Sequence, residues 1–189
     1  MAAPEVWLRG AVEGIAPGLQ PVVHALMQAR EEIRMLAPAI ATEALWARPG
    51  GVASAGFHLR HIAGVLDRLT TYARGDALSD EQRTYLANES TPPLHDAGVD
   101  AGAVDANRDS HDVASLVDAI DRQIDDVIEQ LRTTDASSLF DARRVGRAQL
   151  PSTVIGLFFH AAEHMQRHLG QLLVTVRVQQ AASSSSSTS

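Results

Sequence analysis

The chain has 189 residues, 45% of them apolar and 21% charged, with a formal net charge of −7. That length suits one domain with a sizeable core, and an acidic balance argues against nucleic acid as a partner, since phosphate neutralisation needs a basic face. All 16 basic residues are Arg and there is no Cys, which excludes lysine Schiff-base chemistry, thiol nucleophiles, disulfides and thiolate metal ligands. Any transition-metal site must use His and carboxylates.

Along the chain, MAAPEVWLRGAVEG has no basic stretch followed by an apolar core. The expectation is no secretory signal and a cytoplasmic protein. No apolar run approaches the ~20 residues of a membrane span. After GIAPGLQP, an apolar stripe of Val22, Leu26, Ala29, Ile33, Leu36 and Ile40 is spaced by three and four, predicting a first long helix that ends near Pro49, Gly50 and Gly51. A second helix is predicted from about Ser54 to Arg74, with Phe57, Ile62, Val65, Leu66 and Leu69 on its apolar face, His58 and His61 along one edge, and Gly75 closing it. Ser79 and Gln82 fit a capping box for a short helix. The Gly- and Pro-containing stretch TPPLHDAGVDAGAVDAN then makes a long connection, of the kind that often borders functional sites.

The third long helix carries the clearest stripe, Val113, Leu116, Val117, Ile120, Ile124, Val127, Ile128 and Leu131. Asp118, Asp121, Asp125, Asp126 and Glu129 form a solvated opposite face, with Arg122 spaced to pair with Asp118 or Asp126. The fourth is predicted from about Pro151, as a first-turn proline, to Val178. One of its seams, Phe158, Met165, Leu169, Leu172 and Val176, is apolar throughout; the other, Leu157, Ala161, His164, His168, Gln171 and Thr175, turns polar in the middle. Polar groups on an inward seam need partners, because leaving them unsatisfied costs ~1–3 kcal/mol each. The Ser-rich segment 179–189 is expected to be a disordered tail behind a 1–178 domain. With no strand signals, the fold class is all-α, a four-helix bundle whose long connection between its second and third long helices crosses the bundle.

Five of the eight histidines fall in two segments, FHLRHIAG and HAAEHMQRHLGQ. Residues four apart share a helix face, so His164 and His168 stack and can grip one ion. A third imidazole from the other segment would leave a coordination position open, the layout of a catalytic rather than a closed structural site. Glu163 precedes His164 in the order EHxxxH, unlike the HExxH of zincins, and reads as a surface or inter-helix residue.

Together these segments resemble the DinB-like superfamily of bacterial four-helix metalloproteins. Ser54 through SAGFHLRHIAG matches the family's second-helix pattern, and HMQRHLGQ its fourth-helix pattern; with helix order and spacing, the resemblance covers about residues 17–178. The resemblance implies a divalent ion, often zinc or nickel, on His61, His164 and His168. It also implies kinship with bacillithiol- or mycothiol-dependent thiol transferases. His58 and His160, each one turn before a ligand, read as pocket wall or outer partners of the ligands; His160 is also within reach of the same ion. Gln171 is placed to orient His168 or a water, and Gly170 to permit close helix approach. Arg60, Arg68 and Arg167 flank the ligand helices and read first as surface charges, with one of them placed to hold an anionic substrate group. Tyr72 and Tyr85 are not singled out by any pattern, and His24, His95 and His111 are read as structural or exposed.

Three readings follow. The first is a metal-dependent enzyme, a thiol S-transferase or hydrolase acting on a small molecule. Having no Cys, it would take a low-molecular-weight thiol as cosubstrate. The second is a non-catalytic, stress-related metal-binding bundle. The third is a bundle whose histidines only pack. A homodimer through exposed helix faces is compatible with each.

Overall fold

The computed structural model describes residues 4–89 and 112–186. Its first long helix, α1, spans Gln20–Leu36 with Pro21 in the opening turn. The Gln20 side chain binds Val12 N and the Val12 and Ile15 carbonyls, fastening the entry segment to the helix. The predicted stripe outlasts the helix. Pro38 has no N–H to donate, so Ala37–Ala39 tightens into a 3-10 turn, and Ile40 reaches the core from outside α1.

Helix α2, Ala55–Arg74, starts where Ser54 Oγ accepts the Phe57 N–H and stops at Gly75, whose φ of 90° suits glycine. The short α3, Asp80–Asn88, opens with the complete Ser79–Gln82 capping box. Gln82 also donates to Asp67 Oδ1 and Thr71 Oγ1, both at 2.8 Å, tying α3 to α2.

In α4, Val113–Thr133, the stripe from Leu116 to Leu131 is buried. Its acidic side is only partly a solvated face. Asp121 and Asp125 turn to α1 instead, where Arg34 meets Asp121 at 2.8 Å and Arg30 meets Asp125 at 2.6 Å. Arg122 forms no ion pair with Asp118 or Asp126 among the described residues.

Two strands, β1 (Ala142–Val145) and β2 (Leu150–Thr153), form an antiparallel hairpin that the strand-free expectation lacked. Pro151 lies in β2 opposite Arg144, not in a helical first turn. Both strands are edges, so a missing N–H is tolerated there. Helix α5 therefore begins at Val154 and runs to Ser186.

Past Val178, Gln179 Nε2 donates to the Ala44 carbonyl at 2.9 Å and Gln180 Nε2 to that of Ala39 at 3.4 Å, so contacts with the α1–α2 connection hold these two residues of α5. Among the described residues the regular structure is helical apart from the hairpin. Helices α1 and α2 each pack on both α4 and α5 around one core. Gln130, near the end of α4, donates to the Thr70 carbonyl near the end of α2, so those two ends lie side by side. Among the described residues, no helix is long and apolar enough to cross a membrane. The connection TPPLHDAGVDAGAVDAN, His95 and His111 lie outside the described residues.

Candidate metal centre

The Ser54 cap sets the phase of α2, which carries Phe57 and His58 in one turn and His61 in the next. The polar part of the α5 seam faces these residues. One nitrogen from each of His61, His164 and His168 lies within 4.8 Å of the other two. His61 Nε2 stands 2.9 Å from His164 Nε2, and the His61 and His168 ring centres are 4.4 Å apart. Three nitrogens on one tetrahedral ion, with bonds of ~2.0–2.1 Å, stand about 3.3 Å apart. The rings therefore need little rearrangement to share a cation.

Phe57 stacks on His61 at 5.3 Å and 17°. His58 is buried at 4% exposure, and its Nδ1 shares a hydrogen bond of 3.1 Å with His168 Nδ1. One of these nitrogens donates and the other accepts, so His58 is a hydrogen-bond partner of His168. Buried His164 Nδ1 has no hydrogen-bond partner.

Burial pushes the His58 and His164 imidazoles down to about 4, and His168 to about 3; repulsion from a charged His61 adds to each. Near neutral pH these rings keep free lone pairs, as metal ligation requires. A neutral N/N/N donor set without thiolate suits zinc, nickel or copper. On both counts the residues present fit a divalent transition metal.

The same shifts set an acid sensitivity. Each folded-state value lies below the ordinary 6.5, so between that pH and about 4 the unfolded chain binds more protons than the folded one. Stability falls as pH falls through this window. Thermal melts of metal-free protein should show the melting temperature declining from about pH 6.5 to about pH 4, more gently in His168→Asn. Identical slopes for the two proteins would remove His168 as a cause.

Glu89 is the residue that the sequence reading missed. It caps the end of α3, is 8% exposed, and accepts from His61 Nδ1–H at 2.9 Å and from Arg68 Nη1 at 3.1 Å. Burial opposes its charge, but His61 and Arg68 more than offset that, and its carboxyl lies below the usual range. No periodicity marks it, because α3 reads as a polar surface helix and buries Glu89 only by docking on α2.

Of the other candidates, His160 stays beside the cluster: it is exposed, pairs with Glu163 at 3.4 Å, and with Glu163 and His164 makes a second group whose candidate ligand atoms lie within 4.8 Å of one another; Glu163 also pairs with Arg167. Those two acid–base contacts occupy Arg167 and Glu163 at the surface. Arg68 is held by Glu89, and Arg60 is buried between the Trp46 and Tyr85 rings at 5.9 and 5.5 Å. Gln171 is exposed and makes no hydrogen bond among the described residues. A Cβ on Gly170 would meet open space, so this glycine does not serve close approach. Gly64 does: a Cβ there would fall 2.5 Å from Tyr85 Cε1. Tyr85 also donates to the Arg60 carbonyl at 2.7 Å, Tyr72 packs half-buried on the core, and His24 Nε2 bonds the Gly10 carbonyl.

Fold and site define an all-helical protein with a three-histidine cluster, carried on two helices, that can hold a metal ion. The family model of the DinB superfamily matches residues 25–172, and the chain belongs to that superfamily. Among curated proteins none matches it.

Proposed function

We propose that α1, α2, α4 and α5 form a four-helix bundle, with the α2–α4 connection crossing it, and that the chain is a metal-dependent cytoplasmic enzyme. On this reading one zinc or nickel ion sits on His61, His164 and His168. The reaction is thiol S-transfer or hydrolysis of a small molecule. The side-by-side ends of α2 and α4 support the crossover. The observation that carries the function is the convergence of three nitrogens from two helices, with no further His, Asp or Glu of the described residues in that group. Three protein ligands leave a position for water or substrate.

Bound there, a divalent ion supplies Lewis acidity, which brings the deprotonation of water or a thiol toward neutral pH. The chain has no Cys, so the thiol of a transfer reaction comes from a cosubstrate. Phe57 and buried His58 wall the cluster and limit water around it. Neutral His164 and His168 offer lone pairs without competing protons.

Elemental analysis of untagged wild type and His164→Ala tests the reading. We expect one ion per chain in the wild type and essentially none in the variant. Equal metal content in the two would reject the site. A loaded wild type inert toward thiols with electrophilic substrates, and toward hydrolysable esters and amides, would leave the non-catalytic metal-binding protein.

A further inference from the structure

Two of the three clustered imidazoles have a further hydrogen-bond partner, and for His61 it sits on the nitrogen turned away from His164. His168 meets His58, whereas His61 meets a carboxylate, Glu89, brought from a different helix. A neutral imidazole has one N–H and one lone pair, and whatever binds one nitrogen decides which is which. A carboxylate only accepts. It therefore holds the proton on His61 Nδ1 and presents the Nε2 lone pair to His164, 2.9 Å away.

Glu89 is in turn fixed. Arg68 donates to its other oxygen at 3.1 Å. Helix α3 is seated by the Gln82 hydrogen bonds and by Tyr85 lying against Gly64, in a space that any side chain at 64 would fill. The carboxylate is thus held by a docked helix and a buried cation. Water has little access to it at 8% exposure.

We propose that Glu89 is the positioning residue of His61: it selects the Nδ1–H tautomer, and the docking of α3 is what makes His61 a metal ligand. This rests on the metal-site reading above. It adds that a helix carrying none of the three ligands governs the affinity of the site.

The distinguishing variant is Glu89→Gln, which keeps volume and shape. Arg68 can only donate, so it takes the amide oxygen. The amide nitrogen, also a donor, then faces His61 Nδ1. That nitrogen must accept, and the proton moves to Nε2, where it blocks the lone pair meant for the ion. A role in packing alone predicts that Gln is nearly silent; tautomer selection predicts that it damages the site although nothing has been truncated.

The first readout needs no metal. Nitrogen-15 NMR of the His61 ring in metal-free full-length protein should show Nδ1–H in wild type and Nε2–H in Glu89→Gln. The second is zinc affinity, by competition with a chromophoric chelator. Affinity should fall roughly 10–100-fold in Glu89→Gln, the usual cost of losing an outer partner of a ligating histidine. Glu89→Ala, which leaves Arg68 without its carboxylate, is the secondary variant and should also lose the Nδ1–H preference. An unchanged His61 tautomer in Glu89→Gln, or zinc affinity within about twofold of wild type, overturns the proposal. A tautomer that switches as expected in a wild-type protein that binds no zinc would uphold the control of His61 by Glu89 and reject the metal reading instead.

Discussion

Zinc added to metal-free protein is expected to raise the melting temperature by about 8–16 °C. A ligand that binds only the folded state, at a thousand times its dissociation constant, stabilises by about 4.1 kcal/mol. For a chain of this size each kcal/mol moves the midpoint by roughly 2–4 °C. The preorganisation is visible in the rings, which already lie within 4.8 Å of one another and are held by Glu89 and His58. Little binding energy is then spent on assembling the site. The triple variant His61→Ala, His164→Ala, His168→Ala keeps the other histidines and so controls for zinc bound to the unfolded chain. Its shift should be close to nil. Differential scanning fluorimetry with and without a chelator is sufficient, and a wild-type shift no larger than that of the triple variant would remove the metal reading.

Much of this arrangement is legible in the residues, because it is local. Ser54 and Gly75 bracket α2 within a residue, and the Ser79–Gln82 box forms as written. These signals depend on side chains reaching backbone groups two or three positions away. The α5 seams are legible for the same reason: a helix repeats every 3.6 residues, so four-residue spacing puts His164 and His168 on one face. What could not be read depends on docking. Glu89 lies 28 residues from His61, on a helix whose own pattern is polar. Gly64 and Gly170 look alike as letters, and only Tyr85 tells them apart. The hairpin escaped because its covered side is written in other letters: Arg143 and Val145 are the half-buried residues of β1 and Ser152 and Thr153 those of β2, and Val145 is the one that packs on the core. A covered side made mostly of polar residues leaves no alternation of apolar and polar residues to read. Asp121 and Asp125 looked like a solvent face until Arg30 and Arg34 of α1 came to lie against them.

Replacing Phe158 by Ala should be among the most destabilising single changes in the chain. Its ring is 1% exposed and lies in the central cluster with Met165 and Leu169 on the apolar α5 seam. Truncating a fully buried Phe costs about 3–5 kcal/mol, partly as lost transfer energy and partly as the cavity left behind. That is a large share of the 5–15 kcal/mol typical of a folded domain, and the melting temperature should drop by roughly 6–20 °C. Phe159 is the internal control. One residue on, the helix has turned about 100°, and this ring is 63% exposed; Phe159→Ala should change stability by no more than about 0.5 kcal/mol. The pair also separates folding from binding. Phe158 belongs to the seam that packs, whereas His164 and His168 belong to the seam that meets α2. Zinc should therefore raise the melting temperature of Phe158→Ala by about as much as it raises that of wild type. A zinc shift lost together with the ring would mean that the packing of α5 sets the spacing of the imidazoles, and that core and site are one cooperative unit.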